Sequence, residues 1–310
     1  MDAVLGRAET RRMIVITTPT GNIGNQVLHT LLDEAPAHGE ELRVVARDPA
    51  RLTRTVRERV DVVPGSHRDP GVVDRAFAGA DAVLWLVPPD TRAPSLESAY
   101  TGFTRAAARA FTAHGVRHVV GVSGLGGGTP VAGRAGFVTA SLAMDDLIAR
   151  TGVAYRSLAC ASFMENLLGE ADSLRDEGVF TDTSAAGRKA PLVSTRDIAA
   201  VAARLLLDRS WTGTAAVPVL GPEDLSPDDM ARVMSETLGR AVRYERRSYD
   251  ALAAELSGHG VGDAFVQGLV EMKRAKEAGL DDGAPRTPQG ASPTTFRAWC
   301  ELVLRPAVAA

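Results

Sequence analysis

A short strand, a turn of small residues and a helix follow one another near the start of the chain. Met13 to Ile16 is apolar and mostly β-branched, which is typical of a buried strand. Apolar residues then recur at helical spacing from Ile23 to Leu32, so a helix is predicted to begin near Asn22. This order directs backbone N–H groups and the positive end of a helix dipole toward a phosphate. It therefore predicts a nucleotide-binding turn.

The turn departs from the usual dinucleotide pattern G-x-G-x-x-G. Residues 18–24 read Thr-Pro-Thr-Gly-Asn-Ile-Gly, so Gly21 and Gly24 match and Thr18 replaces the first glycine. A threonine is strained there if the position needs a positive φ, and cofactor affinity would then suffer. The alternative is that the two glycines form a plain strand-to-helix turn that binds nothing.

Strands alternate with helices five times in about 160 residues, which predicts an α/β fold with a doubly wound parallel sheet of the Rossmann type. The alternation is lost after the sixth predicted strand, which ends near Leu158. We therefore expect a flexible arm over 1–12, a nucleotide-binding domain over 13–210 and a smaller C-terminal α/β lobe over 211–310. A substrate cleft is expected between the sheet and this lobe.

Composition excludes several classes of function. The net charge of −3 leaves no basic field for nucleic acid. No apolar run approaches the ~20 residues of a membrane span. Cys160 and Cys300 form neither a disulfide framework nor a metal cluster. We expect a cytoplasmic monomer or homodimer without a metal that acts on a small molecule.

The ends of the predicted strands supply further candidate cofactor residues. The second strand, Leu42 to Ala46, is followed by Arg47 where an acidic residue would favour NAD. An arginine at this place accommodates the 2′-phosphate of NADP, so NADP(H) is the predicted cofactor. The alternative is an ordinary surface arginine.

Several segments together resemble the NmrA-like group of atypical short-chain dehydrogenases/reductases. They are the turn at 18–24, Ala46-Arg-Asp-Pro49, the strand ending in Val87-Pro88, Val116-Arg-His-Val-Val-Gly-Val-Ser123, Phe163-Met-Glu-Asn166, Thr195-Arg-Asp-Ile-Ala199 and Gly221-Pro-Glu-Asp-Leu-Ser226. The resemblance runs from residue 13 almost to the end of the chain. It implies an NADP-binding Rossmann domain with a small C-terminal lobe.

The resemblance also implies roles for individual residues. The pyrophosphate would lie against the turn, Arg47 would hold the 2′-phosphate, and the later strand ends would approach the nicotinamide. The implied cofactor residues are Thr18, Thr20, Gly21, Asn22, Ile23, Gly24, Arg47, Val87, Pro88, Ser123, Cys160, Ala161, Ser162 and Phe163. The implied substrate pocket is lined by Met164, Asn166, Leu167, Phe265 and Met272.

Acid–base chemistry is where the chain departs most from that resemblance. Short-chain dehydrogenases typically use a tyrosine and a lysine four residues later, but no Tyr or Lys lies between Ser123 and Thr151. Ser123 is the best-placed proton donor. The alternative, which is at least as well supported, is a serine at a strand end whose hydroxyl is hydrogen-bonded to the backbone. His67 and Arg134 are weaker candidates and are expected at the surface. Cys160 is read as a small buried residue, since no histidine lies near it to activate it.

These observations favour an NADPH-dependent reductase of a small conjugated or aromatic molecule, such as a quinone, an enone or an imine. Two alternatives stay open. The missing dyad suits an NADP(H)-sensing regulatory protein without redox chemistry. The substitutions at Thr18 and Cys160 suit a non-redox biosynthetic enzyme, such as a cyclase or dehydratase, on the same fold.

Overall fold

A computed structural model describes residues 12–309 of the chain. The strands are β1 Arg12–Thr17, β2 Glu40–Ala46, β3 Asp61–Pro64, β4 Ala82–Trp85, β5 His118–Gly124, β6 Ala154–Cys160, β7 Ser162–Phe163, β8 Val179–Asp182, β9 Ala190–Val193, β10 Thr214–Val219, β11 Asp224–Leu225 and β12 Arg243–Arg246. The α-helices are α1 Asn22–Glu34, α2 Arg54–Arg57, α3 Pro70–Phe77, α4 Phe103–Ala113, α5 Phe137–Ala149, α6 Ala171–Asp176, α7 Thr195–Leu207, α8 Pro227–Leu238, α9 Tyr249–Gly258, α10 Asp263–Glu277, α11 Phe296–Trp299 and α12 Arg305–Ala309.

A seven-stranded sheet in the order β10-β6-β5-β4-β1-β2-β3 forms the centre of the molecule. Every neighbouring pair in it is parallel. The chain winds outward from β1 in both directions, so β1 and β4 flank the point where the strand order reverses. The predicted doubly wound α/β fold is confirmed, and ligands in such sheets bind beyond the carboxyl ends of the strands at this point.

Helices cover both faces of the sheet, which explains why its strands are apolar on both sides. On one face α1 and α7 pack together over Ile14, Ile16 and Leu84. On the other face α3, α4 and α5 cover Val15, Trp85 and neighbouring residues. The helix predicted to begin near Asn22 is observed to begin there.

The domain boundary expected at residue 210 needs correction, because β10 belongs to the central sheet. Residues Thr214 to Val219 pair with β6 along its whole length. Pro218 cannot donate a backbone hydrogen bond, so it suits the edge of the sheet that β10 forms. Four elements of the smaller lobe, β7, α6, β8 and β9, stand between β6 and α7 and interrupt the alternation of strands and helices. The sequence pattern therefore assigned β10 to the wrong unit.

The smaller lobe is built from two separate parts of the chain. Met164, Leu174 and Phe180, which precede α7, share one apolar core with Met234 and Trp299. β8 pairs with β12 in a parallel ribbon, and β7 and β9 extend toward β11. The segment between β6 and α7 therefore folds with the C-terminal residues, and the lobe is discontinuous in sequence.

Some local features depart from the simple alternation of strands and helices. The segment 162–175 consists of β7, a 3₁₀ segment Met164–Glu170 and α6. A π-helical turn, Ser98–Gly102, precedes α4. Residues 1–11 of the expected N-terminal arm lie outside the described residues, and Arg12 is already part of β1. Within residues 12–309 no helix is long and apolar enough to cross a bilayer.

Candidate active site

The parallel sheet brings most of the predicted cofactor residues to one edge. The turn at 18–24 follows β1, Arg47 follows β2, and Val87 and Pro88 follow β4. Ser123 lies near the carboxyl end of β5, and Cys160 ends β6 beside it. These strands are neighbours in the sheet, so their carboxyl ends lie in one row along this edge, and the space beyond them is called the groove below.

The turn after β1 is tight. The amide of Gly21 donates to the carbonyl oxygen of Thr18 at 3.0 Å. Thr18 has a φ of 50°, and it is the one residue other than glycine with a positive φ in the described chain. A Cβ on Gly24 would lie 2.2 Å from the Thr18 carbonyl oxygen, so only glycine fits there. The first position of the motif therefore has the conformation that favours glycine, and threonine is strained in it.

The N-terminus of α1 is left free for an anion. Its N-cap, Gly21, offers no side-chain hydrogen bond, and the first turn contains no acidic residue. By contrast, α8 begins with a capping box between Ser226 and Asp229. Unpaired N–H groups and an unopposed helix dipole attract negative charge. This helix end fits the pyrophosphate of a dinucleotide.

Arg47 supplies an exposed positive charge at the next strand end. Its guanidinium has no carboxylate partner among residues 12–309. The following Asp48 is occupied as an N-cap, since its side chain accepts from the amide of Ala50 at 3.0 Å. An unpaired arginine here is suited to the 2′-phosphate of NADP.

A hydrogen-bonded chain fixes the loop after β4. The hydroxyl of Thr17 donates to the carbonyl oxygen of Leu84 at 2.8 Å and accepts from the amide of Leu86 at 2.9 Å. Nε2 of His67 lies 2.9 Å from the carbonyl oxygen of Leu86. Because a carbonyl only accepts, Nε2 carries the proton. Thr17 and His67 thus position Val87 and Pro88, a role that the sequence did not reveal.

His67 was expected at the surface, and that prediction is wrong. The imidazole is 5% exposed and packs edge-on against Trp85 and Phe103. Burial lowers the pKa of His67 to about 4, and the nearby positive charge of Arg47 contributes in the same direction. A neutral histidine is a poor proton donor at neutral pH. Arg134 is exposed, as expected.

A buried polar cluster below Ser123 was missed by the sequence analysis. The hydroxyl of Tyr155 donates to Asp145 at 2.6 Å, and that of Ser157 donates to the same carboxylate at 2.7 Å. A Cβ on Gly121 would lie 2.5 Å from the Tyr155 hydroxyl, so this glycine makes room for it. Asp146 is exposed, as expected for two adjacent helical residues.

Asp145 could have been found from its spacing. Val138, Ser141 and Ile148 are buried residues of α5, and the half-buried Asp145 continues their spacing of three and four residues, so its carboxylate faces Tyr155 and Ser157. Burial raises the pKa of the Asp145 carboxyl, while the surrounding hydroxyls lower it. Tyr155 is fully buried and bound to Asp145, with its own pKa raised by burial, so it does not replace the missing tyrosine.

Ser123 itself is buried and its hydroxyl has no hydrogen-bond partner among the described residues. It lies near enough to the Asp145 carboxylate to lower the pKa of that group. A buried hydroxyl without a partner carries an energetic cost, which a ligand would remove by accepting its hydrogen bond. A contact between Ser123 and a substrate oxygen stays a prediction.

Cys160 is a structural residue. Its thiol is 4% exposed and donates to the carbonyl oxygen of Leu158 at 3.4 Å. Burial, together with the negative charge of Asp145, raises the pKa of the thiol well above its usual value. A protonated, buried thiol is not a nucleophile. Ala161 is buried next to it, and Ser162 and Phe163 form the half-buried β7.

The residues predicted to line the substrate pocket are divided between two regions. Met164 is 2% exposed and packs in the core of the smaller lobe, and its place in a pocket wall stays a prediction. Leu167 packs against the same core, and Asn166 is exposed. Phe265 contacts Phe137 of α5, and Met272 packs where α10 meets the loop after β5. Residues 12–309 contain no cluster that could hold a metal ion.

Comparison with known proteins identifies relatives over most of the chain. The NAD(P)H-binding family matches residues 19–209. A (4-alkanoyl-5-oxo-2,5-dihydrofuran-3-yl)methyl phosphate reductase from Streptomyces griseus is 34% identical over 275 residues, which cover 86% of this chain and 90% of that protein.

Solved structures share the fold. An NADPH-dependent quinone oxidoreductase from Escherichia coli, complexed with NADPH, has a TM-score of 0.75 at 24% identity and covers 96% of this chain and 99% of its own. NmrA, a negative transcriptional regulator in complex with NADP, has a TM-score of 0.69 at 13% identity, with 96% of each chain covered.

Proposed function

Because this chain belongs to the NAD(P)H-binding family and shares its fold with NmrA, we propose that it is an NADPH-dependent reductase of an activated carbon–carbon double bond. The proposed cofactor, NADPH, is supported by the uncapped N-terminus of α1 and the unpaired Arg47 beside it. The substrate part rests on the Streptomyces griseus relative, whose name describes a double bond conjugated to carbonyl groups.

Reduction of such a bond is compatible with a site that contains Ser123 and lacks a tyrosine–lysine pair. NADPH supplies a hydride to the electron-poor carbon, a proton adds to the neighbouring carbon, and NADP⁺ is released. Negative charge develops on the conjugated carbonyl oxygen, and the free hydroxyl of Ser123 is proposed to donate a hydrogen bond to it. The proton that reaches carbon comes from water, so no tyrosine–lysine pair is required.

The proposal is tested by mixing purified protein with NADPH and a panel of acceptors that contains acylated unsaturated lactones, quinones and imines. Loss of reduced-nicotinamide absorbance with the lactones is the expected result. Absence of turnover with every acceptor, despite tight NADPH binding, would contradict it. That outcome would favour the alternative of an NADP(H)-sensing regulatory protein. Two observations support this alternative: the missing tyrosine–lysine dyad, and the shared fold of NmrA, a transcriptional regulator in complex with NADP.

Replacing Arg47 by alanine tests the choice of cofactor. Arg47→Ala is expected to raise the Kd of NADPH about tenfold or more, because charge-assisted hydrogen bonds to the 2′-phosphate are lost. The Kd of NADH should stay unchanged, since NADH lacks that phosphate. Both are measured by titration of reduced-nicotinamide fluorescence.

Arg232→Ala is the matched control, because it removes one exposed arginine from α8. It should leave both dissociation constants unchanged. Equal weakening of NADPH and NADH by Arg47→Ala would show that Arg47 does not distinguish the two cofactors.

A further inference from the structure

A cavity lies in the smaller lobe, at the carboxyl ends of its parallel strands β8 and β12. β8 and β12 pair with Asp182 opposite Arg246, so the residues that follow both strands meet at one place. The cavity there has a volume of about 400 Å³ and is lined by Thr183, residues 246–250 and Arg274 of α10. This volume falls within the range of small-molecule sites.

The lining is positively charged. Three arginines and one aspartate, Asp250, contribute the charged side chains. Arg247 is paired with Glu255 at 2.6 Å, and Arg246 with Glu277 at 3.5 Å. Arg274 has no carboxylate partner in the described chain, and its guanidinium lies 4.8 Å from the ring centre of Tyr249. The contact with the ring uses the face of the guanidinium, so the N–H groups at the edge of the guanidinium are available to an anion.

Hydrogen-bond donors without partners point to a ligand. Thr183 is 1% exposed, and its hydroxyl has no partner among the described residues. Nε of Arg247 is buried and equally unpartnered. Buried polar groups of this kind are rare, and each leaves a desolvation cost that a bound acceptor would remove.

The N-terminus of α9 contributes little to an anion site. Ser248 is the N-cap of this helix of 10 residues, and its hydroxyl accepts from the amide of Ala251 at 3.1 Å. Asp250 lies in the first turn, and its carboxylate opposes a second negative charge there. The donors to an anion are therefore Arg274 and the unpartnered hydroxyl of Thr183, which approach from separate elements and suit the several oxygens of a phosphate.

We propose that this cavity binds an organic phosphate monoester, with the phosphate between Arg274 and Thr183. The phosphate could belong to the substrate of the reductase or to a separate phosphorylated metabolite, and both have the same recognition chemistry. Binding at this cavity goes beyond the proposed redox function, because it can be measured without turnover.

Calorimetric titration of the full chain with phenyl phosphate tests the proposal. Saturating NADP⁺ is present throughout, so that the phosphate positions of the cofactor groove are filled. Wild-type protein should bind one equivalent, and Arg274→Ala and Thr183→Val should each weaken binding about tenfold, because each removes a donor to a charged acceptor. Arg305→Ala, which removes an exposed arginine of α12, should bind as wild type does.

Thr183→Val also distinguishes a loss of phosphate binding from a loss of stability. It removes a buried hydroxyl without a partner and keeps the shape of the side chain, so urea unfolding in phosphate-free buffer should give a stability equal to or above that of wild type. Absence of saturable binding, equal binding by both variants or equal affinity for benzoate would overturn the proposal.

A kinetic comparison identifies the source of the phosphate and rests on the proposed function. If the substrate carries it, Arg274→Ala should raise KM for a phosphorylated lactone and leave KM for its dephosphorylated alcohol unchanged. If a separate metabolite carries it, both KM values should stay unchanged while Arg274→Ala still weakens phenyl phosphate binding about tenfold. Failure of all lactone reduction leaves the titration result intact, so the two proposals fail separately.

Discussion

Thr18 shows how one residue can depart from a motif and keep its geometry. Its φ of 50° is the conformation that the first glycine of the motif allows without cost. A β-branched residue is strained there, yet the carbonyl oxygen of Thr18 still accepts from Gly21 and closes the turn. The strain is local, and the uncapped helix end behind it is preserved.

His67 makes the stability of the protein depend on pH. Its pKa is about 4 in the folded protein, against an ordinary value of 6.5 in the unfolded chain. The unfolded state therefore binds more protons between these values. The contribution of His67 is fully present above pH 6.5 and is lost as pH falls through 4, by roughly 3 kcal/mol in total.

His67→Gln tests this dependence. Glutamine can donate to the carbonyl oxygen of Leu86 but does not titrate, so the difference in unfolding free energy between wild type and variant should shrink by roughly 3 kcal/mol from pH 7 to pH 4. Urea unfolding at several pH values measures it. His259→Gln, at an exposed site, should show no such change. A difference that does not vary with pH would disprove a buried neutral His67.

At the scale of elements, α1 depends on its close approach to β1. Gly24→Ala would place a Cβ 2.2 Å from the carbonyl oxygen of Thr18, so the helix must move away from the turn. We expect a loss of about 1–3 kcal/mol in unfolding free energy, as for overpacked cores, together with weaker NADPH binding. Urea unfolding and fluorescence titration measure the two effects.

Gly133→Ala serves as the control for this change, since a Cβ there has open space around it. It should retain both stability and cofactor affinity. Unchanged NADPH binding in Gly24→Ala would mean that the turn does not hold the cofactor.

At the scale of the whole molecule, the smaller lobe is docked on the sheet domain through two glycines. Gly136, before α5, has a φ of 51°, and a Cβ on it would lie 2.0 Å from the carbonyl oxygen of Gly268 in α10. Beside this contact, Leu280 packs on Ala135 and Val138. The approach of α10 to α5 therefore holds the smaller lobe against the sheet domain, next to the loop after β5.

Gly136→Ala is expected to displace α10. A positive φ and a backbone clash act together, so the unfolding free energy should fall by about 2 kcal/mol or more. Faster hydrogen exchange of α10 amides should accompany this loss. Gly258→Ala, where a Cβ meets nothing within 4 Å, is the control and should leave exchange in α10 unchanged. Unaltered exchange in Gly136→Ala would rule out this contact as the one that docks the lobe.

Local patterns in the sequence were sufficient for the fold class, the first helix start and the strand ends that form the groove. Hydrophobic periodicity and turn chemistry act over a few residues, so they can be read without knowing what the chain contacts later. The position of Arg47 after β2 follows from the same local reasoning. The role of each groove residue in cofactor binding stays a prediction.

Long-range contacts decided the rest. β10 joined the sheet because it pairs with β6, and Met164 was buried because helices from the end of the chain cover it. The burial of His67 and the meeting of Thr183 with Arg274 likewise depend on residues distant in sequence. Burial and pairing of polar groups are properties of the folded chain, since solvent is excluded only after distant elements pack together.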